Sequence, residues 1–319
     1  MGKACLGVFI IFGMSVWCSA QQPSAGASVV FDAAPKHTYE FSPTLERAQN
    51  GEVHAEFQVA LAYETGNGTE QDYKEAVRWY QRAADAGNSA AQNNLAGMYL
   101  RGLGVEQSES AALKWYLRAA VEGYSPAQNN VGFMYAAGRG VPKDDSAAVA
   151  WYRKAVAKDY APSESNLGFM YLQGRGVASD NKEAAKLFRK AARKGYAAAE
   201  YNLGLLYYTG AGVRRDYAEA MKLFRSAAQH GSAEAQNQIG AAYQSGTGVP
   251  VDYSKAWQWY QAAAKQGLSQ AKDNLAMMAP LLVRTTRSVA SPLAVGSTQT
   301  AAGIPAQSYV SPEAGNPVR

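Results

Sequence analysis

The chain has 319 residues, a formal net charge of +5, 47% apolar and 18% charged residues, and two cysteines. So mild a positive charge implies neither nucleic acid nor a strongly acidic partner. Both cysteines, Cys5 and Cys18, fall in the first twenty residues.

Those residues, MGKACLGVFIIFGMSVWCSA, carry one charge at Lys3, an apolar run from Leu6 to Trp17, and the small pair Ser19 and Ala20. That is the layout of a secretory signal peptide over 1–20, cleaved after Ala20 and too short for a stable membrane anchor. Lipidation at Cys18 would need a small residue before it, and Trp17 stands there. The processed chain then has no cysteine, which excludes disulfides, thiol catalysis and Cys-bound metals. The protein is expected to be exported, into a periplasm or beyond the cell, which further disfavours nucleic acid.

Residues 21–41 lack periodicity and read as a flexible leader. In 42–54, Ala48 and Gly51 stand one 36-residue step before Ala84 and Gly87, predicting a capping half-repeat. From Ala55 to Gln270 six copies of a 36-residue unit follow without insertion or deletion. Tyr63, Tyr99, Tyr135, Tyr171, Tyr207 and Tyr243 mark the register. Ala271, Leu275 and Met278 continue into a capping helix over 271–279, predicted to stop at Pro280, and 280–319 read as a disordered tail.

With Ala55 as position 1, small or apolar residues at 1, 5, 6 and 9 describe one helix face. Gly at 12 and 14 ends that helix, because glycine enters the left-handed region without steric cost. Asp72, Asp144, Asp180, Asp216 and Asp252, with Ser108 in the second unit, sit where a second helix needs its N-cap. Ala at 22, 29 and 30 lets helices approach, and aromatic pairs such as Trp115–Tyr116 fill the space between repeats. The predicted fold class is therefore all-α, a solenoid of tandem helix-turn-helix repeats.

The second unit, AQNNLAGMYLRGLGVEQSESAALKWYLRAAVEGY, reads A-x-x-x-L, then Y-x-x-G-x-G-V, then A-x-x-W-Y-x-x-A-A-x-x-G. In these motifs the chain resembles the Sel-1-like repeat family. The resemblance implies a right-handed superhelix related to the tetratricopeptide repeat, and adaptor or scaffold roles in regulation, secretion, envelope assembly or host contact. One branch of the family is disulfide-bridged, and a processed chain without cysteine departs from it.

If the chain follows its tetratricopeptide relatives, positions 3, 7, 10 and 11 face the concave groove. They vary between units while the packing positions hold. Leu100, Phe133, Phe169, Leu172, Tyr201, Leu205 and Tyr208 then form an apolar, aromatic patch centred on the third to fifth units, suited to a protein or peptide. The alternative is that position 7 packs partly against the next repeat. Position 4 is an amide throughout (Gln58, Asn94, Asn130, Asn166, Asn202, Gln238, Asn274), read as hydrogen-bonding backbone between repeats. Basic residues of the second helices, Lys114 and Lys186 among them, read as a solvated convex face that complements the helix dipole.

Signatures of chemistry are weak. The G-x-G pairs follow no strand, and His37, His54 and His230 lack metal spacing. Ser269–Lys272 and Ser179-Asp180-Asn181 imitate two motifs of penicillin-recognising enzymes, but in reversed order and without K-T-G. The reading is a non-catalytic, monomeric scaffold without cofactor that holds a protein segment. A released protein that contacts a foreign surface, and an envelope enzyme or peptidoglycan-binding factor, are the alternatives.

Overall fold

A computed structural model describes residues 41–289; the predicted signal segment, residues 21–40 of the leader and residues 290–319 of the tail lie outside them. The described residues form fourteen helices and no strand. Helix α1 (Phe41–Gln49) precedes six helix pairs: α2 (Val53–Thr65) with α3 (Tyr73–Asp85), α4 (Ser89–Arg101) with α5 (Glu109–Val121), and α6 (Ser125–Ala137) with α7 (Asp145–Val156). The stack continues through α8 (Ala161–Gln173) with α9 (Asn181–Ala192), α10 (Ala197–Thr209) with α11 (Tyr217–Gln229), and α12 (Ala233–Ser245) with α13 (Tyr253–Lys265). Helix α14 (Ser269–Val289) covers the last pair. Each helix packs on the next in chain order, which makes an all-α solenoid.

The loop inside each pair follows from its conserved columns. The first helix ends at a glycine in the left-handed region, as at Gly102 (φ 68°), whose N–H returns to the Met98 carbonyl. The second loop glycine is required by close approach, since a Cβ on Gly104 would collide with the Tyr73 carbonyl of the preceding repeat. Asp72 then caps α3, its carboxylate accepting the N–H groups of Lys74 and Glu75. Its own N–H donates to the carbonyl of Tyr63 at 2.9 Å, and the same bond recurs from Ser108 to Tyr99 and from Asp252 to Tyr243.

Inside each pair the column alanines Ala76, Ala112, Ala148, Ala184, Ala220 and Ala256 are wholly buried. Tyr80, Tyr116, Tyr152, Phe188, Phe224 and Tyr260 fill the space beside them. From the third repeat onward these rings face a mid-helix glycine at position 6; a Cβ on Gly204 would stand 2.6 Å from a ring carbon of Phe224. A glycine inside a helix costs about 1 kcal/mol relative to alanine, and contact with the ring offsets that cost.

Two ends differ from expectation. Phe41, assigned to the leader, is the first residue of α1 and meets Tyr63 edge to face at 5.3 Å. Helix α14 does not stop at Pro280 but continues to Val289. A proline inside a helix forfeits one N–H and crowds the carbonyl four residues back, yet its φ matches the helix. Here Ala276, Met277 and Met278 before it and Leu281 and Leu282 after it favour helix strongly enough to carry the backbone through.

Candidate partner-binding surface

The candidate residues lie on the first helices of four successive repeats: Leu100 on α4, Phe133 on α6, Phe169 and Leu172 on α8, and Tyr201, Leu205 and Tyr208 on α10. The patch is half-sunken where the sequence reading made it open. Phe169 is buried, with 9% of its surface exposed, and it belongs to the core formed by α8, α9 and α10. Leu172 packs against that same core, and Leu100 packs against the core of the second and third repeats. Tyr201, Leu205 and Tyr208 all pack against the cluster around Phe224.

Two of these aromatics are held by rings of the second helix. Tyr201 lies 5.8 Å from Phe224, and Tyr208 meets Tyr217 edge to face at 5.2 Å. Burial, helped by the charge of Glu234, pushes the Tyr201 hydroxyl well above the usual phenol range. Phe133 is different. It is half-buried and stands outside every core cluster, so the fold explains it least. The packing alternative thus holds fully for Phe169 and partly for the other five, and least for Phe133.

The position-4 amides bridge repeats, but through side chains and not backbone. Asn130 Nδ2 donates to Asn93 Oδ1 at 2.9 Å, Asn166 to Asn129 at 2.9 Å, and Asn274 to Asn237 at 2.8 Å. The acceptor is the position-3 amide of the preceding repeat. Tyr201 occupies position 3 in the fifth repeat, so no amide stands there for Gln238. At Asn94 the preceding position 3 is Phe57, and the amide turns to the Tyr80 hydroxyl at 3.2 Å.

A second column escaped the sequence reading. Position 2 carries Glu56, Gln92, Gln128, Glu164, Glu200 and Gln236. Glu56 pairs with Arg82 at 2.8 Å, and Glu164 with Lys194 at 2.9 Å. Glu200 accepts from Ser226 at 2.7 Å and meets His230 Nδ1 at 2.8 Å. Gln92 and Gln128 instead donate to the carbonyls of Ala84 and Ala120. The recurrence of Glu or Gln at a fixed step was the available signal, and it marks fastening of the two helices.

The chemistry-bearing groups serve the fold. Asp180, from the Ser-Asp-Asn imitation, caps α9 by accepting from Lys182 and Glu183. Ser226 donates to Glu200, so its hydroxyl is not presented to the His230 imidazole as a nucleophile would be. Among the described residues no three His, Asp or Glu gather as a metal site, and no helix is long and apolar enough to cross a membrane.

Stacked helix pairs with a regular fastening and a variable face define a class, the helix-pair repeat scaffolds. The Sel1 repeat family matches at residues 53–88, 89–124, 125–160, 161–196, 197–232 and 233–268, and the chain belongs to that family. Its frame opens at Val53, two residues ahead of the register counted from Ala55. The chain is 31% identical to c5321, a protective antigen of uropathogenic Escherichia coli strains with this fold, at TM-score 0.66 over 80% of the chain. It spans 53% of that longer protein. A Sel1 repeat protein from Oxalobacter formigenes is 30% identical, with TM-score 0.64, 71% of this chain covered and 99% of that one. No curated protein matches. Sel1 repeat proteins generally mediate protein–protein interaction, and their scaffold is generally non-catalytic.

Proposed function

We propose that the protein is an exported, monomeric, non-catalytic adaptor, periplasmic by preference, that holds an extended segment of a partner protein along the first helices of its third to fifth repeats. The observation that carries this reading is the apolar row of Phe133, Leu172, Leu205 and Tyr208, half-buried at two positions whose residue varies along the stack. Aromatic anchors set among neutral contacts are what protein interfaces use. Phe133 supplies the sharpest case, because core packing does not account for it.

Cross-linking pull-down from intact cells with the wild type and a Phe133→Ala/Leu172→Ala variant tests it. The variant is expected to keep its helical circular dichroism and lose the partners that the wild type recovers. Identical partners with both proteins contradict the groove. The likeness to a protective antigen favours a second reading, a protein displayed or released to meet a foreign surface. Fractionation separates the two, since that role needs the protein outside the cell.

A further inference from the structure

The loop between α10 and α11 lacks the ion pair that ties down the same loop in the two repeats before it. In the third and fourth repeats an arginine stands between the two loop glycines and reaches back to a carboxylate at the start of the preceding second helix. Arg139 Nε donates to Glu109 Oε1 at 2.6 Å, and Arg175 pairs with Asp145. In the fifth repeat both partners are replaced, by Ala211 and by Asn181. Gly212 still meets the Asn181 carbonyl as its counterparts meet theirs, so the loop keeps its place without the ion pair.

Basic charge reappears three residues further on. Arg214 and Arg215 occupy the places of Glu70–Gln71 and Glu106–Gln107 in the first two repeats. With Arg189 of α9, Tyr207, Val213 and Asp216 they line an open cleft of about 610 Å³. None of the three arginines forms an ion pair among the described residues. Arg189 Nη2 donates to the Tyr207 hydroxyl at 3.2 Å, and the Arg215 guanidinium lies 5.6 Å from the Tyr217 ring centre. Asp216, the one carboxylate of the lining, accepts the N–H groups of Ala218 and Glu219 as the cap of α11. Three arginines thus line one cleft with no carboxylate paired to them. Like charges set together repel, and the contacts with Tyr207 and Tyr217 leave their charge unneutralised.

We propose that this cleft binds an acidic segment of a protein partner, with carboxylates on Arg189, Arg214 and Arg215 and an apolar side chain against Val213 and Tyr207. The guanidinium fork pairs with a carboxylate through two parallel hydrogen bonds. A peptide fits better than a lone inorganic anion, because the cleft is open, is in the size range of organic ligand sites, and has a phenol and a valine among its walls. The overall charge of +5 conceals this local concentration. The proposal rests on the reading of the chain as a protein-binding scaffold, but on residues other than those of the groove.

The test is fluorescence anisotropy on the full chain with a fluorescein-labelled Glu-Glu-Leu-Glu-Glu-Leu peptide and its Gln-for-Glu analogue. The wild type is expected to bind the Glu peptide saturably and not the Gln peptide. Arg214→Glu/Arg215→Glu, at two exposed and unpaired positions, and separately Arg189→Gln, are expected to weaken binding roughly tenfold or more. Lys114→Glu/Lys265→Glu, which changes the same charge elsewhere, leaves the affinity within about twofold. Failure to distinguish the two peptides, equal weakening by the lysine variant, or displacement by orthophosphate as readily as by unlabelled peptide overturns the proposal. Phe133→Ala leaves this binding intact, so either reading can fail without the other.

Discussion

Both carboxylate oxygens of Glu164 lie 2.9 Å from the ammonium of Lys194, which fastens the start of the fourth repeat to the end of its second helix. The Glu164 side chain is fully buried while that of Lys194 is 36% exposed, so the pair shields the carboxylate and keeps the cation in reach of water. Breaking it strands a buried charge, softened by Lys190 at 3.9 Å. Lys194→Met is expected to lower the unfolding free energy by about 2–4 kcal/mol, Glu164→Gln by about 1 kcal/mol, and Glu164→Leu/Lys194→Met by less than the Lys194→Met change alone. Urea denaturation followed by circular dichroism measures all three.

Tyr80 and Tyr152 occupy the same place in different repeats but differ in their hydroxyl. Tyr80 donates to Glu64 Oε2 at 2.7 Å and accepts from Asn94, whereas the Tyr152 hydroxyl makes no hydrogen bond among the described residues. Where position 26 is Phe188 or Phe224, position 10 is Leu172 or Tyr208 and no acid waits for a donor. Tyr80→Phe is therefore expected to cost about 1–2 kcal/mol, because it leaves a buried acceptor short of a donor, and Tyr152→Phe well under 1 kcal/mol. The shift in thermal midpoint ranks them.

Position 6 is a test of close packing. A methyl added at Gly204 meets the Phe224 ring at 2.6 Å, and a buried ring between two helices has little room to withdraw. Gly204→Ala is expected to destabilise by about 1–3 kcal/mol, although alanine is by itself the better helix former. A gain in stability would show that the helices separate freely.

The protein should weaken in alkali. Burial pushes the Tyr116 hydroxyl up to about 12. Between pH 10 and 12 the unfolded chain releases that proton while the folded one retains it, so the folded state is favoured below this window and loses ground through it. The slope is about 1.4 kcal/mol per pH unit for each such tyrosine. Tyr116→Phe should flatten the decline of stability measured by urea titration from pH 9.5 to 11.5, while other buried tyrosines such as Tyr80 maintain part of it.

The repeat was legible because folding imposes the same demand six times. Tyr63 and Asp72 recur since one closes the loop with its carbonyl and the other caps the next helix. Gly104 recurs because the neighbouring backbone leaves no room for a Cβ. What the sequence concealed involves contacts between columns. Nothing at Glu200 announces His230, thirty residues on, and nothing at Phe169 says that it turns into the next repeat while Phe133, one period earlier, stays outside the core. Pro280 misled because its effect depends on the helix formers around it. The arginine cleft was hidden by a net charge that averages over the chain.

The central claim is that the first helices of the middle repeats hold a protein segment. The direct measurement is photo-cross-linking in living cells with benzoylphenylalanine placed at 133 or 172, and at the exposed second-helix positions 114 and 186 for comparison. One discrete adduct, of the same mass, is expected from 133 and 172 and none from 114 or 186. Adducts from 114 and 186 with none from 133 or 172 would contradict it and move the binding face to the second helices.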